Sequence, residues 1–184
     1  METRRLFAAL ELGSKVRDAV WDFSQSLRSI PSDASFVPKE NLHVTVAFIG
    51  GVGAEKASSI ARSFSNFSFP SFGFSVRTVG AFPNPDFIRV VWAGCHAENG
   101  EFSRLHQAVC NCVALNPKGS FAPHVTLARV KSRRNSDSIR EFLLEHANDE
   151  FGRMRACAIS LKASLLSPSG PKYETIASVR LSSD

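Results

Sequence analysis

Two stretches of the sequence repeat one polar pattern. The first is Leu42-His43-Val44-Thr45-Val46-Ala47-Phe48, and the second is Pro123-His124-Val125-Thr126-Leu127-Ala128-Arg129. Both are rich in β-branched residues and predict strands. Alternate side chains of a strand share a face. His43 and Thr45 therefore face one way while Val44 and Val46 face the other, and His124 and Thr126 are set against Val125 and Leu127 in the same manner. The apolar face suits a core, but a polar pair on a central strand needs partners or a cleft. One His-x-Thr alone is explained by a core histidine bonded to a neighbouring hydroxyl. Two copies at matched places, close to half of the 184 residues apart, point to two imidazoles on opposite walls of one cleft. Imidazole changes charge near neutral pH, so one ring can take a proton while the other gives one. In-line displacement at phosphorus needs a base on the attacking oxygen and an acid on the leaving oxygen, on opposite sides. The hydroxyls of Thr45 and Thr126 would donate to the non-bridging oxygens. A phosphodiester carries one charge, so this chemistry calls for no metal and no cofactor. Arg129 lies an odd five residues after His124, and strict alternation would turn it away from the site. A bulge or strand end before it would turn it back.

The elements that must hold these strands read as two rounds of one plan. Residues 6–10 predict a buried strand, and Ser14 is placed to cap a helix with the stripe Val16, Val20, Phe23 and Leu27. Residues 42–49 predict a strand closed by Gly50-Gly51, and residues 54–64 a helix. Strands over 72–79 and 87–93 flank the turn Pro83-Asn84-Pro85-Asp86. The second round has a helix over 101–115, striped by Phe102, Leu105, Val109, Cys112 and Val113, and a loop at 116–119. A strand over 124–130 and a helix over 136–147 follow, then strands over 156–166 and 173–181 joined by a turn at 167–171. Hairpins dominate the connections, so the expectation is an α+β fold in one domain spanning residues 1–184. It is bilobal and duplicated, with two antiparallel-rich sheets backed by helices around a central cleft.

Composition narrows the classes. Lys and Arg number 22 against 17 Asp and Glu, a net charge of +5, and hydrophobic residues make up 43%. That excludes a disordered, collagen-like or mucin-like chain. The apolar runs are far short of a membrane span. The start of the chain lacks the apolar core and cleavage site of a secretory signal, which makes the cytoplasm the expected compartment. Cys95, Cys110, Cys112 and Cys157 form no Cys-x-x-Cys pair, so neither a zinc site nor a disulfide framework is expected.

The paired His-x-Thr motifs and their flanks resemble the two-histidine (2H) phosphoesterase superfamily. More narrowly, the chain is similar to its RNA 2′,3′-cyclic phosphodiesterases, also called 2′-5′ RNA ligase-like proteins. The resemblance runs through residues 5–10, 40–50, 80–85, 89–92, 105–108, 123–130 and Gly170-Pro171-Lys172-Tyr173-Glu174. It implies a bilobal fold with the cleft between lobes, and metal-free opening of a terminal 2′,3′-cyclic phosphate on RNA to a 2′-phosphate. It implies His43 as the proton donor to the leaving 3′ oxygen and His124 as the acceptor that activates water. Thr45, Thr126 and Arg129 match the positions that hold the phosphate. The partner it implies is an RNA 3′ end or a nucleoside 2′,3′-cyclic phosphate, with no membrane and a monomeric enzyme. A 2′-5′ oligonucleotide phosphodiesterase or ligase, or a non-catalytic module binding RNA ends or nucleotides on the same fold, are the alternatives.

The other histidines have plainer readings. His96 is expected in an exposed loop, His106 half-buried beside a helical stripe, and His146 at a helix C-terminus where a cation is favoured. Phe36, Phe48 and Phe82 read as core, with stacking on a base as the competing role. The run Arg129, Lys131, Arg133, Arg134 reads as solvated charge, with tracking of RNA phosphates as the competing role.

Overall fold

The apolar periodicities resolve into nine strands and four helices in the computed structural model, which describes residues 3–116, 119–167 and 170–182. In chain order these are β1 (Arg4–Glu11), α1 (Ser14–Arg28), β2 (Ala34–Phe36), a short 3-10 turn (Lys39–Asn41), β3 (His43–Val52), α2 (Ala54–Ser65), β4 (Phe72–Asn84) and β5 (Phe87–His96). Then follow α3 (Glu101–Cys112), β6 (His124–Val130), α4 (Ser136–Glu145), β7 (Glu150–Ala156), β8 (Ala158–Ser167) and β9 (Gly170–Arg180). The α+β class and the antiparallel pairing agree with the sequence reading.

The two expected sheets are instead one, in the order β7-β4-β5-β6-β3-β1-β8-β9, with β2 pairing β6. The seam between its halves is narrow. β3 and β6, the two histidine strands, share the single register pair Val44–Val125. β1 and β3, by contrast, are paired along nearly the whole of β1. Halves of the sheet are not halves of the chain. β4 crosses to pair with β5 and β7, while β8 returns to pair with β1. Only Cys157 separates β7 from β8, so the sheet must curl until its opposite ends approach. The strand expected over 156–166 is therefore β8, and β7 and β2 were not anticipated. β7 was hidden because Glu150, Arg153 and Arg155 mask the alternation of an edge strand.

Helices cover the apolar faces of the strands, and α3 also reaches the cavities beside His124 through Phe102, Ser103 and His106. α1 packs on β7, where Phe23 meets Phe142 of α4 at 5.3 Å and Phe151 at 5.2 Å. α2 packs on β1 and β9, and α3 on β3. The stripe of α1 is buried as expected, but Gly13, not Ser14, takes the N-cap position, and Ser14 is the first helical residue. On α3 it is Cys110 rather than Cys112 that is fully buried. Val44, Val46, Val125 and Leu127 are buried beneath the site, each contributing about 1.5–3 kcal/mol of apolar burial. β3 does not stop at the glycines but continues to Val52, with Gly50 at φ +87° where the β1–β3 ladder slips by a residue. Parts of the turns expected at 116–119 and 167–171 lie outside the described residues.

Candidate active site

Each histidine opens its strand, and the residue two before it supplies the anchor. His43 Nδ1 is 2.7 Å from the Asn41 carbonyl, and His124 Nδ1 is 2.7 Å from the Ala122 carbonyl. A carbonyl only accepts, so Nδ1 carries the hydrogen in both rings. Both Nε2 atoms are thereby left for chemistry. His43 Nε2 lies 3.0 Å from Thr45 Oγ1, the next residue on the same face. An aromatic edge braces each ring: Tyr173 meets His43 at 5.4 Å and 88°, and Phe82 meets His124 at 5.0 Å and 79°. Phe7 adds a tilted contact to His43 at 5.1 Å.

The register explains why Arg129 belongs with them. Val91 pairs with Ala128 and Trp92 with Thr126, leaving Leu127 as an extra residue in β6. The bulge turns Leu127 and Ala128 both into the core and returns Arg129 to the histidine face, where it is exposed. β3 contains the same device. Ala8 pairs with Ala47 and Ala9 with Thr45, leaving Val46 extra, so Phe48 comes to the histidine face and is 69% exposed. Phe48 is thus not a core residue. Phe36 is half-buried under the Arg28 guanidinium, and Phe82 is half-buried against His124.

Three adjoining cavities occupy this face. One of about 460 Å³ is lined by His43, Thr45, Thr126, Arg129 and Tyr173. A second, about 440 Å³, touches Thr45 and His124, and a third, about 370 Å³, lies beyond His124 against Phe82, Trp92 and His96. The predicted site residues are therefore gathered into one continuous region.

Burial dominates the electrostatics of both rings. Desolvation lowers the His43 pKa, opposed by the Asn41 hydrogen bond, and Lys162 and His124 push it further down while Glu11 pulls it up. Glu11 is the register partner of His43 and is ion-paired with Lys162. Desolvation also lowers His124, opposed by the Ala122 hydrogen bond and assisted by Arg129. Burial raises the Tyr173 phenol, with Arg129 acting against it. Sequence reasoning missed Glu11 and Lys162, because their place beside His43 follows from strand register rather than spacing.

The remaining histidines divide as follows. His96 ends β5 half-buried, 3.2 Å from Thr78 Oγ1, and is not in an exposed loop. His106 is half-buried as expected, stacked on Phe121 at 4.3 Å with Nδ1 donating to the Val46 carbonyl at 2.7 Å. His146 caps α4 and meets Asp149 at 2.8 Å. No cluster of His, Cys, Asp and Glu suited to a metal ion occurs among the described residues. No described helix is long and apolar enough to cross a membrane.

Known proteins carry the same plan. The family described as LigT-like phosphoesterase matches residues 11–92. The RNA 2′,3′-cyclic phosphodiesterase of Methanothermobacter thermautotrophicus is 38% identical, over 96% of this chain and 98% of its own. That of Archaeoglobus fulgidus is 35% identical, over 94% and 97%. Among solved structures, Escherichia coli LigT in apo form has the same fold, with a TM-score of 0.78 at 23% identity over 98% of this chain and 99% of its own. The two histidine motifs lie on neighbouring, paired strands of one sheet rather than on opposite walls, and with such relatives matched along nearly their full length, the chain belongs to the LigT-like phosphoesterases.

Proposed function

We propose that this chain hydrolyses the terminal 2′,3′-cyclic phosphate of RNA to a 2′-phosphate, with His43 and His124 performing the proton transfers. One observation carries the reading: both imidazoles have Nδ1 tied to a carbonyl two residues upstream, His43 lining the cavity of Thr45, Thr126 and Arg129 and His124 the adjoining cavity that Thr45 also borders. The names of the relatives agree with it.

In this mechanism the neutral His124 Nε2 removes a proton from water as its oxygen attacks phosphorus. The phosphorus–O3′ bond breaks on the opposite side, and protonated His43 gives its Nε2 proton to O3′. The product carries a 2′-phosphate and a 3′-hydroxyl. The two rings have then exchanged protonation states and reset through solvent. The Thr45 and Thr126 hydroxyls donate to the non-bridging oxygens, and the Arg129 guanidinium faces the charge that grows on them. The RNA 3′ end is the partner in this reading, and the chain is one monomeric domain of two related halves. Four thiols outside any disulfide suit a reducing compartment, the cytoplasm.

The test is product analysis with a nucleoside 2′,3′-cyclic phosphate. The expected product is the 2′-phosphate, formed at a rate insensitive to chelator. His43→Ala and His124→Ala should each abolish turnover while leaving the melting temperature near that of the parent. Turnover surviving the double variant would overturn the mechanism.

A further inference from the structure

The hairpin joining β4 and β5 carries an arrangement that the reaction does not use. The Arg89 guanidinium stands 4.7 Å from the centroid of the Phe87 ring, and that of Arg133 stands 5.3 Å from it. Both arginines are exposed. Among the described residues no carboxylate is ion-paired with either one, and the neighbouring Asp86 is taken by Arg140 at 3.4 Å. Two cations are thus held by one aromatic ring rather than neutralised. Like charges kept this close favour an anionic ligand between or over them.

Their position relative to the site gives the ligand a direction. Val90, next to Arg89, is the register partner of Arg129, and Arg133 follows Arg129 by four residues. The three guanidiniums therefore lead away from the cavity that holds His43 and Thr126. In the proposed reaction O3′ leaves toward His43, so the ribose stays on the side of that cavity. The cyclic phosphate closes the 3′ end, so the rest of the RNA lies 5′ of the reacting ribose, and a strand leaving the cavity past Arg129 would meet Arg89 and Arg133 next.

We propose that Arg89 and Arg133, held over Phe87, bind the phosphodiester backbone of single-stranded RNA 5′ of the reacting nucleotide. This rests on the function proposed above, so the test reads binding separately from turnover. The probes are a short oligoribonucleotide ending in a 2′-phosphate and the matching nucleoside 2′-phosphate, titrated against the parent protein and the variant Arg89→Ala/Arg133→Ala. Each single-strand phosphate contact contributes about 0.7 to the slope of log affinity against log salt, so two lost contacts lower the slope by about 1.4. Between about 50 and about 200 mM salt, the parent should lose roughly sevenfold more oligonucleotide affinity than the variant. Affinity for the nucleoside 2′-phosphate should be unchanged, as should the melting temperature, since both side chains are exposed. An unchanged salt slope for the oligonucleotide, or equal weakening of both probes, overturns the proposal. If the parent protein fails to open a cyclic phosphate, the proposed function falls while the binding comparison still decides the RNA path.

Discussion

At the scale of single residues, the two histidines look alike in the sequence but stand in unlike surroundings. The Glu11–Lys162 pair flanks His43, whereas the register partner of His124 is Gly94. Both pKa values are lowered from 6.5, chiefly by burial. The proposed reaction needs His124 neutral and His43 protonated. Raising the pH above the lowered His43 value removes its proton, and lowering it below the His124 value adds one, so each departure costs activity. The profile of kcat/KM, which reports the free enzyme, should be bell-shaped with its maximum acid of 6.5. Bound phosphate favours the imidazolium, so the basic limb of kcat should lie at higher pH than that of kcat/KM. A basic limb of kcat/KM well above neutrality would refute this assignment. Thr45→Val and Thr126→Val each remove one hydrogen bond to a charged oxygen, about 1.5–3 kcal/mol, and should lower kcat/KM roughly 10- to 150-fold in steady-state assays. The histidines and threonines were legible in the sequence because two copies of one polar alternation, His-x-Thr, stand out in apolar strands. Glu11, Lys162 and the bracing rings of Tyr173 and Phe82 depend on long-range register, which spacing does not encode.

At the scale of elements, the informative objects are the irregularities in the strands. The bulge at Leu127 resolves the odd offset of Arg129, and the bulge at Val46 does the same for Phe48. Sequence periodicity raised the first as an alternative but could not decide it, since Leu-Ala fits a regular strand as well as a bulged one. The floor under His124 is equally constrained. A Cβ on Gly94 would lie 2.9 Å from the Arg77 carbonyl oxygen and 2.7 Å from Thr78 Oγ1, and Thr78 already holds φ +63°. Gly94→Ala should destabilise the fold by about 1–3 kcal/mol through overpacking. Thermal denaturation should show a loss of about 2–4 °C per kcal/mol for a chain of this size. Activity should fall as well, since Gly94 pairs with His124.

At the scale of the whole molecule, the strand order shows that the two rounds of elements read in the sequence exchange strands. The matched segment 11–92 ends inside β5, before β6, β7 and β8. Cut there, β1 would lose β8, β4 would lose β7, and α1 would lose the Phe142 and Phe151 rings that cover Phe23. A protein ending at residue 92 should therefore lack the dispersed amide spectrum of a folded domain, and a cooperative melt from it would contradict this account. The alternation of helices and hairpins was readable in the sequence. The exchange of strands between halves was not, because pairing partners are chosen by the curl of the sheet and not by neighbours along the chain. The paired bulges have one more consequence, and it concerns heading. They set unlike residues at like places, an aromatic ring at Phe48 and a cation at Arg129, five positions after each histidine. A compact anion such as inorganic phosphate gains no heading from that difference. A molecule with a flat uncharged end and a charged trailing end does, so the pair would add to the asymmetry that Glu11 and Lys162 already give the His43 side.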